Sequence, residues 1–260
     1  MLVAALSLAA TAQENPIGIV IMHGKGGGPG GYVANLARTL EGRGYLVANL
    51  EMPWSRKRNY DVTVERGEQE VETAVAGLRA KGAKKVFIAG HSQGGVFALH
   101  MASKSYVDGV IAMAPGGDVA NRVFQENLGS SVARAKRLVA DGKGNERAQL
   151  EDYEGSKGRY SIDAVPAAYV TWFDTGGAMN MYRAARAASP RVPILWIVGQ
   201  NELPGLRKWN LGMYPSLPDN PLTQLYEPIA DHVGTPNASA DEIVRWTREV
   251  ASKQDAPKSA

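Results

Sequence analysis

Ser92 lies at the centre of a Gly-x-Ser-x-Gly pattern, residues 90–94, between an apolar run at residues 86–89 and a segment with helical periodicity. A serine on a tight strand-to-helix turn projects its hydroxyl out of the fold, and glycines on either side keep other side chains out of the crowded turn. The positive end of the following helix favours the negative charge that develops on an acyl oxygen. We therefore interpret Ser92 as a nucleophile for acyl chemistry, and not as a helix-capping serine in a Gly-rich turn.

A serine hydroxyl is a weak nucleophile and needs a general base. The chain has four histidines, His23, His91, His100 and His232. His91 adjoins Ser92 but is expected to point away across the turn, His100 lies two turns into the next helix, and His23 belongs to a strand-end turn. His232 follows the last predicted strand and precedes the last helix, so it can reach over the sheet edge to Ser92. The sequence predicts His232 as the base.

The third member of such a site is an acid that orients the imidazole. Glu202 follows the predicted strand at residues 193–198, and the order Ser92, Glu202, His232 agrees with the chain order nucleophile, acid, base. Asp118, which follows an earlier predicted strand, is the alternative acid.

A Gly-rich segment, residues 23–28, follows the first predicted strand. Glycines there allow backbone N–H groups to approach a substrate closely, so we expect Lys25 and Gln93 to donate their backbone N–H groups to an oxyanion. The segment lacks the order G-x-x-x-x-G-K-[ST] of a phosphate-binding loop, which argues against nucleotide binding.

These residues stand on alternating strand-like and helix-like segments, which predict an α/β fold with a mainly parallel sheet and helices on both faces. The predicted strands are residues 16–22, 45–50, 85–89, 109–114, 192–198 and 223–228. The predicted helices are residues 32–43, 61–81 and 93–103, with a last helix running from a capping box at Ser239 through Val250. We expect one domain, residues 16–250, and a flexible tail, residues 251–260.

Residues 118–190 interrupt the alternation, since they are polar and have no clear strand pattern. A structureless loop of that length is rare in a compact domain, so we expect a mostly helical insertion over the sheet. Its large apolar residues either line an apolar acyl or aryl pocket or form the core of the insertion: Phe124, Tyr153, Tyr160, Tyr169, Trp172, Phe173, Met179 and Tyr182.

Composition excludes several classes of function. The 260 residues include no cysteine, which excludes disulfides, thiolate metal sites and a cysteine nucleophile. The 29 basic and 26 acidic side chains are well mixed, so a nucleic-acid-binding surface is not expected. Since no metal-ligand spacing or dinucleotide fingerprint is present either, we expect no metal and no cofactor.

Residues 1–12 combine an apolar stretch with an Ala-x-Ala site and are typical of a secretory signal peptide; the alternative is a short apolar first strand or helix. The stretch is too short to span a bilayer, so stable membrane insertion is not expected. The interpretation as a signal predicts a periplasmic or secreted protein.

Taken together, the motifs after the strands resemble the α/β-hydrolase superfamily: H-G-K-G-G-G, G-H-S-Q-G-G, G-Q-N-E and A-D-H-V-G. The resemblance covers residues 16–117 and 190–250, and the insertion stands where the family places its cap. Two features depart from the family: the acid is Glu where Asp is commoner, and the first antiparallel strands have no counterpart before Pro16.

The resemblance implies a serine hydrolase that cleaves a carboxylic ester of a small, apolar acyl substrate through an acyl-enzyme. An acyltransferase or a thioesterase would use the same triad. A non-catalytic binding or maturation protein on a hydrolase scaffold is a third hypothesis, because a fold does not fix function. The sequence leaves the oligomeric state open.

Overall fold

The computed structural model describes residues 16–104 and 106–255. The predicted signal segment, residues 1–12, and the end of the predicted tail, residues 256–260, lie outside the described residues. No helix in the described ranges is long and apolar enough to cross a membrane.

The described residues form eight strands and nine helices. The strands are β1 (Ile17–Met22), β2 (Leu46–Leu50), β3 (Lys85–His91), β4 (Gly109–Met113), β5 (Ala148–Glu154), β6 (Gly158–Ala164), β7 (Ile194–Ile197) and β8 (Gln224–Tyr226). The helices are α1 (Ala34–Gly42), α2 (Val64–Ala80), α3 (Gln93–Met101), α4 (Arg122–Ala140), α5 (Pro166–Trp172), α6 (Met181–Ala187), α7 (Pro204–Met213), α8 (Thr235–Ala238) and α9 (Ala240–Asp255). Short 3₁₀ turns follow α3 and α7.

Six strands form one parallel sheet in the order β2-β1-β3-β4-β7-β8, with helices on both faces, which confirms the predicted fold class. The ends of each observed strand of this sheet lie within three residues of the predicted ends. In a parallel sheet the carboxyl ends of the strands meet at one edge, and ligands bind outside that edge. The segments after β1, β3, β4, β7 and β8 carry all the predicted site residues, so the topology brings them to a common side.

The central strands have apolar side chains on both faces because each face is covered by a separate apolar core. On one face, Val20, Met22, Val86 and Ile88 pack with residues of α2, α3 and the insertion, including Val71, Val75, Leu99 and Trp172. On the other face, Ile19, Ile21, Phe87 and Ala89 pack with residues of α1 and α9, including Leu36, Leu40, Ile243 and Trp246. Successive side chains of a strand point to opposite faces of the sheet, so the apolar residues of each central strand alternate between the two cores.

The insertion consists of α4, an antiparallel hairpin of β5 and β6, and the short helices α5 and α6. The three helices agree with the expectation of a mostly helical segment, but the expectation that it has no strand is wrong. In the hairpin, Leu150 pairs with Ile162, and Asp152 pairs with Tyr160. Asp152 is buried, so a carboxylate occupies an inward position where the strand pattern requires an apolar residue.

The C-terminal region also differs from expectation. Helix α9 continues to Asp255, so the first half of the predicted flexible tail is helical. The predicted capping box would direct the Ser239 hydroxyl to the start of α9. The hydroxyl instead donates to the carbonyl of Thr235 at 2.7 Å, because α8 immediately precedes α9 and supplies that acceptor. Helix α7, which the sequence did not predict, follows the loop that carries Glu202.

Candidate active site

Ser92 adopts a left-handed backbone conformation, with φ 54° and ψ −116°, in the turn between β3 and α3. Such a conformation costs a non-glycine residue about 1–3 kcal/mol and is found where the surrounding structure enforces it. Hydrogen bonds do so here: the Ser92 N–H donates to the carbonyl of Met113 at 2.9 Å, and the Ser92 carbonyl accepts from Gly95 at 2.8 Å and from Gly116 at 3.1 Å. The turn presents the serine in the geometry of a nucleophile elbow.

The glycines of the Ser92 motif are required by close backbone approach. A Cβ atom on Gly90 would lie 1.9 Å from the carbonyl oxygen of Gly94, and a Cβ atom on Gly94 would lie 2.6 Å from that of Met22. Both distances are far below van der Waals contact. The turn from β3 into α3 therefore requires glycine at position 90, and the close approach of α3 to β1 requires glycine at position 94.

His232 and Glu202 are joined by a hydrogen bond of 2.7 Å between the imidazole Nδ1 and the carboxylate Oε2. The Glu202 side chain is fully buried, and the His232 side chain is 25% exposed. The second carboxylate oxygen, Oε1, accepts from the backbone N–H of Leu203 at 2.8 Å. A carboxylate can only accept, so Nδ1 carries the proton, and Nε2 of His232 is left as the basic nitrogen.

Asp118 is held by other partners. Its Oδ1 accepts from the backbone N–H groups of Ala120 at 3.0 Å and Met181 at 3.2 Å, so it fixes the start of the insertion and the start of α6. Burial raises the pKa of its carboxyl group. Of the two candidate acids, Glu202 is the one that binds His232.

Backbone hydrogen bonds connect the loop that carries Glu202 to the loop that carries His232. The N–H of Gln200 donates to the carbonyl of Pro228 at 2.8 Å, and that of Asn201 donates to the carbonyl of Ala230 at 3.0 Å. A Cβ atom on Gly199 would lie 2.2 Å from the Ala230 carbonyl oxygen, so this position also requires glycine. The contacts fix the separation of the acid and the imidazole.

His91 has a position that sequence reasoning missed. Its Nε2 donates to the carbonyl of His232 at 2.8 Å, and the two rings lie 4.8 Å apart. Burial, together with the neighbouring His232, lowers the pKa of His91 to about 3, so its ring stays neutral and serves as a fixed donor. His91, which directly precedes Ser92, thus holds the backbone of His232 close to the turn that carries the serine.

The Gly-rich loop after β1 is fixed next to the serine. A Cβ atom on Gly24 would lie 3.1 Å from the Cβ atom of Ser92. Nε2 of His23 accepts from the N–H of Met52 at 3.0 Å, which leaves Nδ1 as the donor to the carbonyl of Gly24 at 2.7 Å. Burial lowers the pKa of His23, which keeps its ring neutral and this pattern intact.

Neither the N–H of Lys25 nor that of Gln93 has a hydrogen-bond acceptor among residues 16–104 and 106–255. Gln93 is the first residue of α3, where the helix itself offers no acceptor for an N–H group. The N–H groups of both residues therefore remain available to a ligand.

The apolar residues of the insertion divide between its core and a groove. Tyr169, Trp172 and Met179 are fully buried, whereas Tyr182 is exposed. Phe124 and Phe173 line a groove of about 280 Å³ beside α4. His100 pairs with Glu68 on the far side of α3 and takes no part in the site.

Leu206 on α7 was also missed by the sequence reading. A Cβ atom on Gly116 would lie 3.5 Å from both terminal carbons of Leu206 and 3.5 Å from Oγ of Ser92. The helix is fixed there by Asn210, whose amide donates to the carbonyl of Pro115 at 2.9 Å. Within the described part of the chain, no group of three or more His, Cys, Asp or Glu residues could hold a metal ion.

Comparison with known proteins identifies the family. The sequence profile of the alpha/beta hydrolase family matches residues 19–248. No curated protein matches the chain.

Many solved structures share the fold. The alpha/beta hydrolase GrgF from Penicillium sp. sh18 superimposes with a TM-score of 0.68 at 13% identity, over 93% of this chain and 91% of that chain. The monoacylglycerol lipase of Paleococcus ferrophilus gives 0.61 at 19% identity, over 91% and 96%. Est1E of Butyrivibrio proteoclasticus, solved with bound ferulic acid, gives 0.59 at 14% identity, over 91% and 90%. The profile spans most of the chain and the fold agrees with it, so this chain belongs to the alpha/beta hydrolase family.

Proposed function

We propose that the protein is a serine hydrolase that cleaves a carboxylic ester through an acyl-enzyme, with Ser92 as nucleophile, His232 as base and Glu202 as the orienting acid. The observation that carries the proposal is the hydrogen bond of 2.7 Å between His232 and Glu202, on loops anchored beside the strained turn of Ser92. The bond holds the imidazole in the tautomer that can accept a proton on Nε2.

In the acylation step, Nε2 of His232 takes the proton of the Ser92 hydroxyl while Oγ forms a bond to the ester carbonyl carbon. The carbonyl oxygen becomes an oxyanion, which the free N–H groups of Lys25 and Gln93 stabilise by hydrogen bonds. The tetrahedral intermediate then collapses: the bond to the leaving alkoxide breaks, and His232 gives its proton to that oxygen.

In the deacylation step, a water molecule replaces the alcohol. His232 takes a proton from the water, whose oxygen attacks the acyl carbon, and the same two N–H groups hold the second oxyanion. When the bond to Ser92 breaks, His232 returns the proton to Oγ, and the carboxylic acid leaves.

A small, apolar acyl substrate is supported by the side chains around the serine. Leu206 lies beside Gly116 and Ser92. Leu203 directly follows Glu202, Trp209 lies about one turn after Leu206 on α7, and Val233 directly follows His232, and all three side chains are exposed. An apolar acyl or alcohol group bound there would remove apolar surface from water. The signal-like segment supports a periplasmic or secreted location.

The proposal is tested with a fluorophosphonate probe and an ester assay. We expect the wild type to be labelled at Ser92 and to hydrolyse p-nitrophenyl acetate, whereas Ser92→Ala should lose labelling and at least about 10³-fold in kcat. Ser103→Ala is the matched control, since Ser103 binds the carbonyl of His100 outside the site. An unlabelled wild type, or a Ser92→Ala variant with near-normal turnover, would contradict the proposal. Assays with a thioester, and with an added acceptor alcohol, separate hydrolysis of esters from the related acyl reactions.

A further inference from the structure

The side chain of Lys25 leaves the Gly-rich loop and enters the insertion. Its Nζ donates to Oδ1 of Asp152 at 2.5 Å and to the carbonyl of Tyr153 at 3.2 Å. The same Nζ lies 4.4 Å from the centre of the Phe124 ring. The side chains of Lys25 and Asp152 are only 6% and 2% exposed, so this is a buried ion pair between the loop after β1 and the hairpin strand β5.

Asp152 is also connected to the second proposed oxyanion donor. Its Oδ2 accepts from the hydroxyl of Tyr60 at 2.9 Å and from that of Tyr160 at 3.3 Å. Because the Tyr60 hydroxyl gives its proton to Asp152, it accepts in turn from the side-chain amide of Gln93 at 3.4 Å. One carboxylate thus contacts Lys25 directly and Gln93 through Tyr60.

A buried ion pair is a weak source of stability, since apolar residues of similar volume stabilise a protein about as well. What a fully paired carboxylate offers is a fixed geometry, because each of its partners has a direction as well as a distance. Here both connections end on the residues whose backbone N–H groups flank Ser92.

We propose that Asp152 is a positioning residue, which holds the oxyanion-binding N–H groups of Lys25 and Gln93 in place through the Lys25 ammonium and the Tyr60 hydroxyl. The inference rests on the proposed function, because it concerns the same oxyanion site. It means that Asp152 links the hairpin of the insertion to the oxyanion site, which is complete only when β5 is seated against the loop after β1.

The test compares variants of the network in one ester assay. Asp152→Asn and Lys25→Met should lower kcat for p-nitrophenyl acetate by about 10- to 100-fold, because a small displacement of a donor from the developing charge forfeits much of its effect. The KM should change little, since the ground-state ester barely uses these donors. Affinity for an aryl boronic acid, which forms a tetrahedral adduct with the serine, should fall by a similar factor.

Two further variants separate positioning from folding. Lys25→Met combined with Asp152→Leu leaves no unpaired buried charge, so its Tm should recover while its kcat remains as low as in the single variants. Tyr60→Phe keeps the ion pair and removes only the bridge to Gln93, so it should lower kcat by a smaller factor. Glu151→Gln is the matched control, because Glu151 is the half-exposed neighbour of Asp152 in β5 and its carboxylate pairs with Arg159 outside the network.

The outcomes distinguish this inference from the proposed function. A wild type that is neither labelled nor active overturns both. An active wild type, together with a folded Lys25→Met/Asp152→Leu variant of unchanged kcat and unchanged boronate affinity, overturns only the positioning role. Variants that lose Tm but keep kcat would likewise assign the network to stability alone.

Discussion

At the scale of single residues, the acid is the member of the site whose identity most needs a test. Glu202→Gln keeps the shape of the side chain, but its amide can donate to Nδ1 of His232 and so favour the tautomer with the proton on Nε2. That tautomer cannot accept the proton of Ser92. In serine proteases the equivalent change lowers turnover by about 10⁴-fold, and we expect a loss of about 10²- to 10⁴-fold here.

Asp118→Asn is the matched control for Glu202→Gln. The asparagine keeps an oxygen for the N–H groups of Ala120 and Met181, so turnover of the ester should stay near that of the wild type. Circular dichroism checks that both variants are folded. A crippled Asp118→Asn variant beside an active Glu202→Gln variant would assign the acid to Asp118.

The positions of Ser92, Glu202 and His232 could be predicted because each follows a strand whose apolar pattern is clear, and parallel strands end at a common edge. The position of His91 could not. Its partner is a backbone carbonyl 141 residues later in the chain, and no side-chain pattern records such a contact. The same holds for Leu206, whose place depends on how α7 packs against the turn at Gly116.

At the scale of elements, the first turn of α3 packs closely against the end of β1, and glycine at position 94 makes this contact possible. In Gly94→Ala, the new Cβ atom would lie 2.6 Å from the Met22 carbonyl oxygen and 2.7 Å from that of His23, so the strand end or the helix must move. We expect a loss of about 1–3 kcal/mol or more in the free energy of unfolding, measured by urea denaturation. Ester turnover should fall as well, because the displaced elements carry Ser92.

Gly77→Ala in α2 is the control for Gly94→Ala. Gly77 is exposed, and no atom lies within 4 Å of its Cβ position. Alanine there should stabilise the protein by about 0.5–1 kcal/mol, since it has the higher helix propensity. Equal effects of the two substitutions would show that close packing at Gly94 is not the cause.

The hairpin of β5 and β6 is the element that could not be predicted from the sequence pattern. Its inward positions include Leu150, Ile162 and Ala164, which follow the period of two, but Asp152 interrupts the apolar series. A carboxylate at an inward position is read as a loop residue unless its partners are known. Those partners, Lys25 and Tyr60, lie on other segments of the chain. Asp152, which obscures the strand pattern in the sequence, is therefore also the residue that connects the hairpin to the site.

At the scale of the whole molecule, the sheet separates two cores that differ in their neighbours. The core under α1 and α9 contains only elements of the basic fold, whereas the opposite core continues from α2 and α3 into the insertion through Tyr169, Trp172 and Phe173. The insertion and the sheet therefore share one apolar core. Unfolding of the insertion is expected to expose part of the core that supports Ser92.

Global stability should report on the buried histidine beside the site. The pKa of His91 is about 3 in the folded protein and about 6.5 in an unfolded chain. Between these values the unfolded state binds more protons, so stability rises with pH; as pH falls, this stability is lost, starting near pH 6.5 and levelling off near pH 3. For one such group the loss between pH 7 and pH 5 is about 2 kcal/mol.

The variant His91→Gln isolates this contribution. Its amide can still donate to the carbonyl of His232, but it does not titrate, so its free energy of unfolding should fall by about 2 kcal/mol less than that of the wild type between pH 7 and pH 5. Urea denaturation followed by circular dichroism at pH 5, 6 and 7 gives both curves. His23, whose pKa is also lowered by burial, contributes in the same direction to both proteins and cancels in the difference. Parallel curves would mean that His91 is not held neutral in the fold, and that its hydrogen bond to His232 is not what keeps the loop of the base in place.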